Sequence, residues 1–124
     1  MREIKFRGKS ENNGEWLYGG IEINVQKHFA IIYDERTPYD NEYSVIPESV
    51  GQYTGLNDKH GKEIYEGDVV QYHPEANAGV GRVVYEGSGF YVIDEFNGLL
   101  DDFATLGIEV IGNITDNPEL IEGE

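Results

Sequence analysis

Three histidines, His28, His60 and His73, are the side chains best suited to move a proton or ligate a metal near neutral pH. None stands four residues from another, so no helix face would present two imidazoles together, and a His-Glu-x-x-His pattern is absent. His73-Pro74-Glu75, with Asp68 shortly before it, is one grouping that could surround a divalent cation. A second is Asp94-Glu95 with Asp101-Asp102, four carboxylates that one short connection could gather. Chemistry built on either would be metal-assisted hydrolysis, a nuclease among the options. The Asp-x-Asp-x-Asp-Gly order of a calcium loop is missing, and a chain with 24 Asp and Glu brings acids together by chance. These groups are therefore read as an exposed acidic face, and no catalytic residue, metal or cofactor is expected from them.

Nucleophiles fare no better. With no cysteine in the sequence, a thiol nucleophile, a disulfide and a thiolate zinc site are all excluded. The serines are Ser10, Ser44, Ser49 and Ser88, and none lies in Gly-x-Ser-x-Gly. Gly87-Ser88-Gly89 joins two apolar runs and reads as a hairpin turn. Neither a phosphate-cradling Gly-x-x-x-x-Gly-Lys-Ser/Thr loop nor a Gly-x-Gly-x-x-Gly fingerprint occurs. A non-enzymatic protein is the expectation.

Binding chemistry is more promising. Arg2, Lys5, Arg7 and Lys9 form one basic cluster beside Phe6 and Trp16, and on a strand residues 5, 7 and 9 share a face. That stripe would suit an acidic partner, the acidic part of a second copy, or phosphate, and a nucleic-acid binder working through it is an alternative reading. Charge elsewhere is of the opposite sign: residues 1–62 hold eight Lys and Arg against ten Asp and Glu, whereas residues 63–124 hold Arg82 alone against fourteen acids. The whole chain carries −15. Nucleic-acid binding needs Lys and Arg to displace counterions, so nucleic acid is not expected as a partner; a basic protein is. Arg2, Lys5, Arg7, Asp94, Glu95, Asp101 and Asp102 are the candidate partner-binding residues. Nine tyrosines favour an interface, and a homo-oligomer with basic edge on acidic half is expected.

The elements that would position these groups are strands. At 124 residues a single domain, or two very small ones, is the natural size. Apolar residues mostly recur at a spacing of two, as in Ile4 and Phe6 or Ile21, Ile23 and Val25, the period of strands with one buried face. Asn13-Gly14 marks a turn before a strand beginning at Trp16. Phe29-Ala30-Ile31-Ile32-Tyr33 is apolar on both faces and suits a central strand. Pro47 separates two short extended segments, and further strands are expected over 69–72, 80–85, 90–93 and 108–114. Leu99, Phe103 and Leu106 have helical spacing and predict a short helical turn near 99–106. Asn117-Pro118-Glu119-Leu120 reads as a final turn with Pro at its first position. The fold class is all-β, a small barrel or sandwich, with an SH3-like barrel in the C-terminal half. No run is long and apolar enough to span a bilayer, and the charged start lacks a signal sequence, so a cytoplasmic protein is expected.

Turn chemistry is densest from Gly55 to Asp68. Asp58 to Gly61 is a tight turn in which Asp bonds the backbone two residues on and Gly takes a positive φ, and Glu66-Gly67-Asp68 is a second, with Ile64 and Tyr65 as apolar anchors between them. Gly55, Asp58, Gly61, Tyr65, Gly67 and Asp68 form a structural motif, which suggests three parts: an N-terminal β region over 1–54, a connection over 55–67 and a barrel over 68–124. One unit over 1–124 is the alternative.

The stretch Gln52-Tyr53-Thr54-Gly55-Leu56-Asn57-Asp58-Lys59-His60-Gly61-Lys62-Glu63-Ile64-Tyr65-Glu66-Gly67-Asp68-Val69-Val70 resembles the signature of the YopX family, small proteins of bacteriophages and prophages. Met1-Arg2-Glu3-Ile4-Lys5-Phe6-Arg7 is similar to the family's start, and Glu109-Val110-Ile111-Gly112-Asn113-Ile114 with Asn117-Pro118-Glu119-Leu120 to its end. His60 departs from the pattern, which carries Asn there, and residues 24–45 hold none of its landmarks. The resemblance implies a largely β, oligomeric protein encoded by a phage or prophage, with no established biochemical activity; the cytoplasm expected above is then that of the bacterial host.

Overall fold

Alternation of buried and exposed side chains becomes paired strands along the chain. The computed structural model describes residues 5–24, 29–34, 42–71, 79–86, 89–93, 98–99 and 107–121. The chain divides into two units, Met1–Tyr53 and Thr54–Glu124. The division places the 55–67 turn block with the second unit.

In the first unit, strands β1 (Phe6–Lys9), β2 (Trp16–Asn24), β3 (Phe29–Asp34) and β4 (Glu42–Val45) pair antiparallel in chain order. The start of β5 (Gly51–Asn57) lies on the other side of β1, with Phe6 opposite Gln52. β3 is central, between β2 and β4, as its two-faced apolar run requires. The β1–β2 turn closes through Ser10 N–H to Glu15 O at 2.8 Å, with Gly14 at φ 74°. The Asn13 side chain accepts the Glu15 N–H at 3.0 Å, so Asn acts here as a side-chain acceptor and Gly alone supplies the left-handed step.

The sheet returns on itself. Ser10 bridges Val45, the Glu11 N–H reaches Ser44 O at 3.1 Å and the Ile46 N–H reaches Lys9 O at 2.9 Å, so the end of β1 meets the outer edge of β4. Pro47–Ser49 forms one 3-10 turn leading to β5, and its buried Ser49 hydroxyl accepts the Lys9 N–H at 2.8 Å while donating to Ile46 O at 2.6 Å. The closed sheet buries Leu17 and Val45, with Ile21 and Val50 packed against them.

In the second unit, β5 runs into the turn at 58–62 and returns as β6 (Glu63–Tyr65). Strands β7 (Asp68–Gln71), β8 (Val80–Glu86), β9 (Gly89–Ile93) and β10 (Gly98–Leu99) then form an antiparallel meander, and β11 (Glu109–Asn113) comes back to pair with β7. A meander closed by a last strand on the first is the order of an SH3-like barrel. Glu86 opposite Gly89 makes the β8–β9 connection the expected hairpin. Leu99 belongs to β10, where Tyr91 on β9 pairs with it; a ladder partner overrides its local helical spacing, and the remainder of the expected helical turn, 100–106, lies outside the described residues.

The core of this unit is Ile64, Val70, Val83, Phe90, Val92 and Ile108, with Leu56 and Val110 against it. Each such side chain contributes about 1.5–3 kcal/mol on burial. All-β architecture follows, and among the described residues no helix is long and apolar enough to cross a membrane.

A bulge in β11 lies between Val110 and Gly112, and it leaves Ile111 37% exposed. A β carbon on Gly112 would stand 2.6 Å from Asn117 Oδ1 and 2.8 Å from Leu120 Cδ1, because the 3-10 turn Pro118–Leu120 folds back over this glycine. Gly112→Ala is therefore expected to displace that turn and cost about 1–3 kcal/mol, the range for overpacking. Urea unfolding beside amide exchange at Asn117 checks it; a variant of unchanged stability would mean the turn yields freely.

Candidate functional site

The turn block and the basic strand are the two places where the sequence concentrates chemistry, and the structure builds them differently. In the block, Gly61 N–H donates to Asp58 O at 3.0 Å and Asp58 N–H to Lys62 O at 2.8 Å, with Gly61 at φ 84°. That is a three-residue hairpin loop closed by a left-handed glycine. Space around Gly61 is open, so the requirement for glycine there is conformational.

Asp58 does more than shape its own turn. Its Oδ1 accepts the His60 N–H at 2.8 Å and the Lys62 N–H at 2.9 Å, and its Oδ2 accepts the N–H of Val110, 52 residues away, at 3.0 Å. Beside it the Lys59 N–H donates to Ile108 O at 3.0 Å. Burial alone would raise the carboxyl's pKa; the three N–H donors from Val110, Lys62 and His60, with His60's charge when protonated, outweigh burial and hold it below the ordinary aspartate value. The His60 ring lies 3.7 Å from Glu109, a largely exposed pair that contributes little.

Asp68 ends the block and is almost wholly buried. Its Oδ2 accepts the Tyr65 N–H at 2.8 Å across a turn in which Gly67 has φ 94°. The Gly67 N–H donates to Val83 O and Gly67 O accepts the Ile114 N–H, each at 2.8 Å. Tyr65 is buried, and its hydroxyl donates to Glu63 at 2.9 Å. Gly55 has φ 88° and is exposed within β5. The block's buried carboxylates, Asp58 and Asp68, thus accept backbone N–H groups of the second unit.

The basic strand faces aromatic rings. Lys5 Nζ lies 5.4 Å from the Tyr53 ring centroid, and the Arg7 guanidinium lies 4.7 Å from that of Trp16. Arg7 is only 6% exposed, and its cation faces Trp16 within the first unit. Arg7 and Lys9 share a face of β1, opposite Tyr18 and Trp16, and Lys5 lies just before the strand. The interleaved aromatics restrict what the stripe can offer outward.

Arg2, His28, His73, Glu75, Ser88, Asp94, Glu95, Asp101 and Asp102 lie outside the described residues. Among the described residues no group of three or more His, Asp or Glu is placed to hold a metal. The Asp58–Val110 bond and the cover over Gly112 escaped the sequence reading; a tightly spaced Asp-x-x-Gly turn signals the first locally but not its distant donor.

The family model described as YopX protein matches residues 5–122. No curated protein matches the chain. Three solved chains do, among them protein EF1440 from Enterococcus faecalis, known by its crystal structure, with 24% identity and a TM-score of 0.59 over 98% of this chain and 100% of that one. That likeness concerns the fold.

Proposed function

The chain belongs to the YopX family, and from that membership and its charge layout we propose a non-enzymatic phage or prophage accessory protein that assembles with itself and binds a basic protein partner in the host cytoplasm. The observation that carries this reading is the contrast between units. Residues 54–124 hold fifteen Asp and Glu against three Lys and Arg, while residues 1–53 hold nine against six. A field of that sign draws cationic surfaces and repels polyphosphate. A nucleic-acid-binding protein carries the complementary surface, and the acidic unit then imitates the phosphate field it normally meets. Asp68, the described member of the group a metal-assisted hydrolase would use, already accepts the Tyr65 N–H, which supports the binding reading.

Affinity capture from an infected or lysogenic host tests it, washing first at about 0.1 M salt, where the screening length is about 10 Å, and then at about 1 M, where it is about 3 Å. Basic nucleic-acid-binding proteins should be retained in the first wash and released in the second. Retention of acidic proteins only, or calorimetric binding of magnesium or manganese at millimolar concentration, would overturn the reading.

A further inference from the structure

Asn13 and Gly14 bring an electrophile and a nucleophile side by side in the exposed turn between β1 and β2. The electrophile is the side-chain carbonyl carbon of Asn13, Cγ, and the nucleophile is the backbone nitrogen of Gly14; a bond between them closes a five-membered ring. Glycine has no β carbon to obstruct that approach. The Glu15 N–H donates to Asn13 Oδ1 at 3.0 Å, the atom on which negative charge gathers when Cγ is attacked. Against this, the Gly14 N–H is engaged with Ser10 O at 3.2 Å. Ser10 is buried, and its hydroxyl accepts the Asn12 and Asn13 N–H groups at 3.2 and 3.4 Å, which holds the loop around it. One bond thus primes the carbonyl, while the Ser10 set restrains the nitrogen.

We propose that Asn13 is a self-modification site, converted to aspartate and isoaspartate without an enzyme, at a rate that Ser10 controls. The Gly14 nitrogen bonds to Asn13 Cγ, the bond from Cγ to the side-chain amide nitrogen breaks, and ammonia leaves with the former Gly14 proton. Water then opens the ring. Cleavage of the new bond to Cγ yields aspartate; cleavage of the bond from the same nitrogen to the Asn13 main-chain carbonyl carbon yields isoaspartate, whose β carbon then lies in the main chain. Either product adds one negative charge to the turn that follows Arg7 and Lys9. Isoaspartate also lengthens the loop that the Ser10 N–H closes to Glu15 O at 2.8 Å, and so slackens the β1–β2 hairpin. The first unit's basic strand is therefore altered as the molecule ages.

Ageing the full chain at mildly alkaline pH, which favours attack by a deprotonated nitrogen, tests the proposal by peptide mass spectrometry. The Asn13 peptide should gain the mass of OH in place of NH2, and main-chain fragmentation should identify isoaspartate; the map separates it from Asn97-Gly98, the other Asn-Gly in the sequence. Folded Ser10→Ala should convert about fivefold faster than the folded parent, the change in open population that one lost hydrogen bond produces. In urea the two should convert at the same rate. Asn13→Gln, whose ring would be one atom larger, should stay unconverted at that position. The proposal fails if folded parent and folded Ser10→Ala both keep Asn13 intact while each converts in urea, or if the two convert equally when folded. Should Ser10→Ala lose its native circular dichroism, amide exchange of Gly14 in the parent decides. Protected exchange with conversion slower than in urea supports the restraint; exchange as fast as in urea with Asn13 intact overturns it.

Discussion

Replacing Ile64 with alanine is expected to cost about 2–5 kcal/mol and to weaken the second unit throughout its sheet. Ile64 is fully buried and packs with Val70, Val83, Phe90, Val92 and Ile108, residues drawn from β7, β8, β9 and the approach to β11. Its truncation removes apolar contact and leaves a cavity in a core of few side chains. The exposed Ile111→Ala serves as a reference and should change stability by less than about 0.5 kcal/mol. Amide exchange at Val83 and Val92, which pair with each other across β8 and β9, reads the unit directly. A cost below about 1 kcal/mol, the size typical of an ordinary substitution, would make the 55–67 block a linker after all.

Much of this architecture could be read from residue spacing because strands with one buried face announce themselves locally. Phe29 to Tyr33 is apolar at successive positions and is central; Pro118 opens the final turn as a proline at the first position should. The turn block was legible in the same way: Asp58 accepts the N–H two residues on, and Gly61 and Gly67 take positive φ. What spacing could not reveal depends on partners distant in sequence. The second acceptor oxygen of Asp58 meets Val110, Ser49 meets Lys9 40 positions away, and Gly112 is glycine because Asn117 and Leu120 lie over it. Arg7 illustrates the limit for the binding site. Alternation places it correctly beside Lys5 and Lys9, but alternation alone does not say that Trp16 faces its cation.

The two units solve one problem with similar means. A small sheet has few strands and therefore a large share of edge, where unpaired N–H and C=O groups must find partners. In the first unit, Ser10 and Ser49 sit where β1 passes from β5 to β4, and the Ser49 hydroxyl fills a gap in the ladder. In the second, Asp58 and Asn117 do the same for β11. Among the described residues, the buried Ser10, Ser49, Asp58 and Asp68 side chains each accept a backbone N–H.

Acidification supplies the second large effect, and the relevant quantity is the stability difference between the parent and Asp58→Asn. At neutral pH the parent should be more stable by about 1–3 kcal/mol, since the variant leaves the Val110 N–H facing a donor in a buried place. The Asp58 carboxyl has its folded pKa below its unfolded value, because three backbone donors favour the charged form against burial. Its contribution is therefore complete above the unfolded value, about pH 4, and disappears as pH falls through the folded pKa. Protonation of the other acids acts in the opposite direction by relieving the self-repulsion of a chain at −15, but that change is common to both proteins. The difference between the two unfolding curves should thus be constant from neutral pH to mildly acid conditions and shrink below about pH 4. Urea denaturation at a series of pH values measures it. A difference that persists undiminished well below that range would show that the carboxylate's charge is not what holds the turn against β11, and that the shape of the side chain alone suffices.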